Sequence, residues 1–367
     1  MIQCYWSRVM RLKKVLFVAN SDRHIKLCHL PYMKMFQDNG YQVHVATNSL
    51  EEIPYCDKKI DLKLRRNPYS LFNFVALKNV RKLVKNEKYD LISCHTPVGG
   101  FLGRCSVIGR RRKIDTKVFY MAHGFHFFKK SGIISWMLYY PLEKFLSRFS
   151  DAVITMNEED YLLAKSKFHS DIYKIHGIGL NIDRLRLKEK GIRKKLNLKN
   201  KYVVTYIAEI SKRKRQFEFL DKLKNHKIDR DIVFLFIGDS NMKNVEKKLK
   251  KYKNVKYIGF KDNIGDYINI SDLIISPSSQ EGLPQNILEA KYFKKNIIGM
   301  NIRGIKDLLG DGSGILVNNL DEMIDKIIEI KHSDYKVSNT SIDEYKLENV
   351  EAEIKDIINN YFVSKLK

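Results

Sequence analysis

Cysteine is scarce in this chain and poorly arranged for chemistry. The 367 residues hold five: Cys4, Cys28, Cys56, Cys94 and Cys105. The number is odd, all fall in the N-terminal third, and no pair shows C-x-x-C spacing, which argues against both a zinc site and a disulfide framework. Long apolar runs are missing too, since no stretch approaches the roughly eighteen residues needed to cross a bilayer. The first nine residues lack a signal-peptide core, and Met10-Arg11-Leu12-Lys13-Lys14 before an apolar run reads as the natural start. A cytoplasmic protein with a ragged leader is therefore expected. Acidic residues are in the minority: 42 Asp and Glu stand against 67 Lys and Arg, a net charge of +25. Basic clusters recur at Arg110-Arg111-Arg112-Lys113, Lys212-Arg213-Lys214-Arg215 and Lys247-Lys248 with Lys250-Lys251. Such a surface attracts nucleic acid, an anionic membrane leaflet or a diphosphate alike, and charge alone does not choose among them.

What the sequence does have is a rhythm. Short apolar runs, each followed by a polar loop and a helical segment, occur at 15–19, 43–46, 91–93, 118–121 and 152–155, the alternation of a parallel sheet wrapped by helices. The series restarts at 202–208, 233–237, 256–258, 273–276 and 296–299. Between the two, Gly177-Ile178-Gly179-Leu180-Asn181-Ile182-Asp183 combines two glycines with a following charged stretch and reads as an interdomain linker. A composition of 44% hydrophobic residues suffices for two cores. The expected organisation is one Rossmann-like domain over 10–178, a second over 185–345, and a terminal helix in 346–367. Ile354, Ile357, Ile358, Tyr361 and Phe362 give that helix an amphipathic face. There is no internal repeat beyond this two-domain rhythm.

Residues 272–293, reading DLIISPSSQEGLPQNILEAKYF, set two carboxylates around the start of one helix. Leu273-Ile274-Ile275-Ser276 suits a buried strand, Pro277 through Gly282 is turn chemistry, and Pro284 fits the first helical position, so helix is expected over 285–293. In an open α/β sheet, ligands settle beyond the carboxyl ends of the strands, where a helix N-terminus offers unpaired N–H groups to a phosphate. Gly282 lets that backbone approach closely. Glu281 just precedes the helix and Glu289 lies about a turn and a half inside it. Neither carboxylate gains from touching a pyrophosphate, so their partners are sugar and ribose hydroxyls, for which charged acceptors are strong. The pairing points to a nucleotide-linked sugar. After the run 202–208, Glu209-Ile210-Ser211-Lys212-Arg213-Lys214 places cations where a leaving diphosphate would develop charge. Asp229-Arg230-Asp231 spells the D-x-D of metal-dependent sugar transferases, but it precedes the run 232–237 and sits at the wrong end of the sheet. It is assigned no metal role.

These residues resemble the retaining GT-B glycosyltransferases of family 4, whose signature sets two glutamates within S-x-x-E-G-x-P-x-x-x-L-E-A. Ser278, Glu281, Gly282, Pro284, Leu288, Glu289 and Ala290 all match. The resemblance implies an α/β architecture, GT-B, with two Rossmann-like domains facing a central cleft and a final helix that crosses back onto the N-terminal domain. It implies a UDP-sugar as co-substrate, with no cofactor and no metal. Glu281 would hold donor-sugar hydroxyls, Glu289 the ribose, and the amides of Gly282 and Leu283, ahead of Pro284, the diphosphate. In Tyr257-Ile258-Gly259-Phe260, Gly259 and Phe260 would edge the base pocket. Family members commonly carry an arginine and, five residues later, a lysine after the first strand of the second domain. Here Glu209 replaces the arginine and Lys214 keeps the lysine, which leaves Lys212 and Arg213 as substitute cations. In Met121-Ala122-His123-Gly124-Phe125-His126-Phe127-Phe128, His123 matches the family histidine that faces the transferred sugar, while His126 has no such match. His95, within Cys94-His95-Thr96-Pro97-Val98-Gly99-Gly100, either contacts donor or acceptor or orders its loop. The first βα loop departs from the pattern: Ser21-Asp22-Arg23-His24-Ile25 stands where many members have Gly-Gly, making Ser21 and Arg23 cleft residues and leaving the acceptor open. Gly310-Asp311-Gly312-Ser313-Gly314-Ile315-Leu316-Val317 resembles the family's closing turn and strand and reads as structural.

The expected reaction is transfer of a hexose or N-acetylhexosamine from a UDP donor with retention at the anomeric carbon and no protein nucleophile. By resemblance, the leaving phosphate oxygen takes the acceptor proton, and His123 orients the sugar. Residues 133–146 (IISWMLYYPLEKFL), after Lys129-Lys130, either lie at a membrane interface or pack inside the N-terminal domain. Together with the basic balance they point to an anionic membrane surface and a lipid-diphosphate-linked saccharide acceptor, as in bacterial capsule, exopolysaccharide or O-antigen assembly. No nucleic-acid motif is present, and no nucleic-acid partner is expected. Two alternatives stay open. A non-hydrolysing UDP-sugar epimerase shares the architecture and would change a sugar without releasing UDP. A non-enzymatic polyanion binder explains the charge but leaves the segment from Glu281 to Glu289 unexplained.

Overall fold

The computed structural model describes residues 13–49, 51–64, 70–109, 115–240, 242–336 and 341–362. The leader with Met10, Cys4 and the Arg110-Arg111-Arg112-Lys113 cluster lie outside these residues. Two units divide the chain. The first runs to Thr155, takes in Asp160–Ile175 and resumes at Ile354; the second comprises Met156–Glu159 and His176–Glu353. The later divisions fall at Ile175/His176 and Glu353/Ile354.

The first unit holds seven parallel strands: β1 Lys13–Val18, β2 Tyr41–Thr47, β3 Lys58–Asp61, β4 Leu91–His95, β5 Lys117–Met121, β6 Ala152–Thr155 and β7 Asp171–Lys174. Their order is β3-β2-β1-β4-β5-β6-β7. Helices cover both faces, which is why the inner strands read as unbroken apolar runs instead of alternating ones. Leu16, Val18, Ile92, Val118 and Tyr120 face a core completed by Ala76, Val80, Val98 and Leu102 from the helices Phe72–Glu87 and Pro97–Ser106. On the opposite face Phe17, Phe119 and Met121 meet Tyr32 and Phe36, and Ile354 and Ile358 of the last helix close over them. That helix runs Leu347–Phe362, and Tyr361 donates from its hydroxyl to the Asp151 carbonyl at 3.1 Å.

Within the first unit one arginine is fully enclosed. Arg104 donates from Nε to the Gly100 carbonyl at 2.8 Å, pairs through Nη1 with Glu143 at 2.7 Å and lies 3.8 Å from the centre of the Tyr120 ring. It ties the helix Pro97–Ser106 to the helix Ile133–Ser147. A side chain at Gly99 would strike the Val18 carbonyl at 2.5 Å, so glycine there lets the first of these helices begin directly over the end of β1.

The second unit holds β8 Tyr202–Ile207, β9 Ile232–Ile237, β10 Val255–Gly259, β11 Leu273–Ser276, β12 Asn296–Met300 and β13 Ile315–Val317. These too are parallel, in the order β10-β9-β8-β11-β12-β13. Each sheet is therefore doubly wound, and its strand order reverses between β1 and β4 or between β8 and β11. Beyond the carboxyl ends at such a reversal lies the crevice where open α/β sheets bind ligands. Among the described residues no helix is long and apolar enough to cross a membrane.

Candidate active site

In the second unit the reversal between β8 and β11 carries the acidic signature. Glu281, on the loop after β11, is 6% exposed. Its carboxylate pairs with Lys214 on the loop after β8, and Arg213 approaches the other oxygen at 3.3 Å. Burial pushes this carboxyl up, but Lys214 and Arg213 outweigh it and hold it below its ordinary range. Arg213 also donates to the Gln280 carbonyl at 2.9 Å and reaches Glu209 at 3.4 Å. The two loops are laced further where the Ser279 amide donates to the Arg213 carbonyl at 2.9 Å, and β8 itself reaches the loop after β11 where the hydroxyls of Tyr206 and Ser278 meet at 2.8 Å. Lys212 is exposed on the same loop, so the cations that serve Glu281 are Arg213 and Lys214.

The helix after this loop runs Gln285–Tyr292, with Pro284 as its extended N-cap (ψ 118°) and Phe293 as its C-cap. Pro284 was expected one position further in, at the first helical residue. Its fixed φ suits either place, and the extended ψ decides for the cap. Gly282 and Leu283 form the half-buried approach to this helix. Two residues not singled out from the sequence brace it. Arg303 donates from Nε to the Glu281 carbonyl at 3.2 Å. The left-handed Gly304 (φ +73°) backs the Gly282 carbonyl so closely that a side chain would come within 2.1 Å.

Glu289 lies in the helix, its carboxyl pushed up to about 7 by burial, with Arg184 pulling the other way. Arg184 belongs to the 3-10 turn Ile182–Leu185, just after the stretch that reads as linker, and no local pattern marks it. Gly259 ends β10 with φ +73°, and Phe260 follows it, exposed. Asp229 and Asp231 precede β9, and both pair with Lys331, at 2.6 and 2.5 Å.

In the first unit, four histidines come together beyond the carboxyl ends of β1, β4 and β5: His24 in the helix Asp22–Cys28, His29 at its C-cap, His95 at the end of β4 and His123 on the loop after β5. His24 Nε2 lies 3.2 Å from His123 Nε2 and 3.2 Å from His29 Nε2. His95 is 1% exposed, stacks on Phe17 with ring centres 5.6 Å apart, meets Ser93 Oγ at 3.0 Å and packs 3.7 Å from the His29 ring centre. It is thus enclosed against the cluster, a packing that suits the ordering role. Burial pushes His24 down to about 4 and holds His29, His95 and His123 well below the ordinary imidazole value. Ser21 caps the helix Asp22–Cys28, its hydroxyl accepting from the His24 amide at 3.4 Å, while Arg23 is exposed. His126 is exposed and packs on Tyr139. The sequence reading passed over His24 and His29 as a set; the signal available was two histidines five apart shortly after a strand.

Comparison with known proteins supplies the family. The family described as Glycosyl transferases group 1 matches residues 188–346, and the one described as Glycosyl transferase 4-like matches 14–157. A Bacillus subtilis (strain 168) protein named as a glycosyltransferase, EpsD, is 36% identical over 319 residues, covering 83% of this chain and 83% of the relative. The Escherichia coli UDP-Gal:alpha-D-GlcNAc-diphosphoundecaprenol alpha-1,3-galactosyltransferase is 28% identical over 296 residues, 75% of this chain and 74% of that protein. The crystal structure of Anabaena HepE in complex with UDP and glucose superposes with a TM-score of 0.73 at 17% identity, over 95% of this chain and 100% of that one. With its two doubly wound sheets and a relative of this identity along most of its length, the chain belongs to the group 1 glycosyltransferases of the GT-B fold.

Proposed function

We propose that the enzyme transfers a hexose or N-acetylhexosamine from a UDP-sugar, with retention, to a lipid-diphosphate-linked saccharide in bacterial surface polysaccharide synthesis. The observation that carries this reading is the buried Glu281 carboxylate, kept charged by Lys214 and Arg213 beside the start of the helix that bears Glu289. A desolvated, charged acceptor binds neutral sugar hydroxyls strongly. An ammonium has three donors, so Lys214 can serve both Glu281 and a developing diphosphate charge. Glu289 would accept from the ribose and His123 would orient the sugar. In this reading the transfer step needs no metal. The E. coli relative's name specifies a UDP-galactose donor and a diphosphoundecaprenol-linked acceptor, which supports both substrate classes here.

An anionic membrane surface would bring such an acceptor within reach. The helix Ile133–Ser147 packs Trp136 and Tyr140 against Phe127 but leaves Ile133 75% and Met137 70% exposed, next to exposed Lys129 and Lys130. Leu71, Phe72, Phe74 and Val75, at the start of another helix on the same face of the sheet, are exposed as well. Apolar side chains beside lysines suit a headgroup interface.

The test is thermal stabilisation by UDP, GDP, ADP and dTDP, followed by sugar transfer from the best nucleotide's sugars to an undecaprenyl-diphosphate-linked saccharide. A shift selective for UDP that disappears in Glu289→Ala is expected. Unchanged turnover in Glu281→Ala would sink the assignment.

A further inference from the structure

His24 Nε2 faces two other ring nitrogens at once, His123 Nε2 and His29 Nε2, each at 3.2 Å. An imidazole nitrogen offers a single in-plane site, holding either a proton or a lone pair. One site cannot make two linear hydrogen bonds, so whichever tautomers are chosen, one of these contacts lacks a proper partner. A cation placed among the three nitrogens removes that conflict, because each lone pair then has its own acceptor. The spacing suits one. The three ligand atoms lie within 4.8 Å of one another. Around a tetrahedral ion with bonds of about 2.0–2.1 Å, neighbouring nitrogens sit roughly 3.3 Å apart, so two of the three edges are already close to that length.

The surroundings fit a ligand set as well. His29 is enclosed, and its ring is backed by His95, itself fixed by Phe17 and Ser93. His24 and His123 are half-buried. Two of the rings come from the helix Asp22–Cys28 and its C-cap, and the third from the loop after β5. The helix is capped by Ser21, and the loop turns at the left-handed Gly124 (φ +118°).

We propose that Nε2 of His24, His29 and His123 binds one divalent first-row transition ion, of which Zn2+ suits three imidazoles and an open fourth position. The site belongs to the first unit alone; it gives His123 Nε2 to the ion in place of a direct sugar contact, and it stands whether or not the UDP-sugar reading of the second unit is correct.

The full chain, treated with chelator and dialysed, is titrated with Co2+ and followed by visible absorption, then challenged with Zn2+. The expected result is one equivalent per chain with the strong bands of a tetrahedral site, bleached by Zn2+. His24→Asn, His29→Asn and His123→Asn should each weaken Co2+ binding by more than the roughly 10–100-fold that losing only an outer-shell partner costs; His126→Asn, at an exposed ring, should not. Absence of stoichiometric Co2+ binding in the wild-type chain overturns the proposal, as does binding that survives all three substitutions. Should the enclosed His29→Asn fail to fold, His24→Asn and His123→Asn, at half-buried residues, carry the test, with circular dichroism confirming the fold of each.

Discussion

The ammonium of Lys214, on the loop after β8, rests against the carboxylate of Glu281, on the loop after β11, so one ion pair spans the strand-order reversal of the second sheet. The pair is buried on both sides, with side-chain exposures of 13% and 7%. It is accordingly a structural bond as well as a chemical one.

Removing the cation should show both aspects. Lys214→Ala leaves a buried carboxylate with Arg213 as its remaining partner, and breaking a buried pair costs about 3–5 kcal/mol when nothing compensates. A loss below that range is expected in urea unfolding, because Arg213 stays within 3.3 Å. Turnover should fall by roughly 100-fold or more, the scale of a lost charge-stabilising donor. Unchanged stability would mean that the two loops are not joined through this pair.

Glu289 should trade stability for binding. Its folded value of about 7 lies above the ordinary 4.5, so the folded state keeps the proton longer and stability falls as pH rises through that window. Glu289→Gln removes the dependence. The variant should match the wild type near pH 4 and exceed it at pH 8 by up to roughly 3 kcal/mol, while losing UDP-dependent stabilisation. Denaturant unfolding at the two pH values reads the first effect, and a UDP thermal shift reads the second.

The enclosed Arg104 and Glu143 supply a double-substitution test. Arg104→Met alone should cost about 3–5 kcal/mol by stranding the Glu143 carboxylate. Adding Glu143→Leu should recover most of that loss, since an apolar pair of similar size needs no compensating charge. A cycle of urea unfolding experiments measures the coupling.

Membrane docking should depend on the exposed side of the helix Ile133–Ser147. Ile133→Glu with Met137→Glu should reduce sedimentation with anionic vesicles several-fold at moderate salt and leave the UDP thermal shift unchanged. Equal binding by the variant would remove this face from the interface.

Much of the framework is written in the inner strands, because a strand covered by helices on both sides needs an unbroken apolar run, as in VLFV of β1 or LIIS of β11. The edge strands β3 (KKID) and β7 (DIYK) were not legible: each pairs on one side only and is partly open, so no apolar run is required. The segment from Ser278 to Ala290 announced its place through turn and helix chemistry. That Lys214 pairs with Glu281 was hidden, since the two lie 67 positions apart and meet only because β8 and β11 are neighbours. The histidine group was hidden for the same reason, its members being scattered over the carboxyl-end regions of β1, β4 and β5. Pro284 shows the finest scale that was missed, where a single ψ angle moves a residue from the first turn to the cap.

The groove lined by Phe17, Tyr32 and Phe36 is closed by Ile354 and Ile358, which the ribosome delivers only after the whole second unit has been made. During synthesis the first sheet therefore waits with one apolar flank uncovered. A fragment ending before residue 354 would keep that flank exposed and invite self-association, so the two units are not separable by a single cut in the chain.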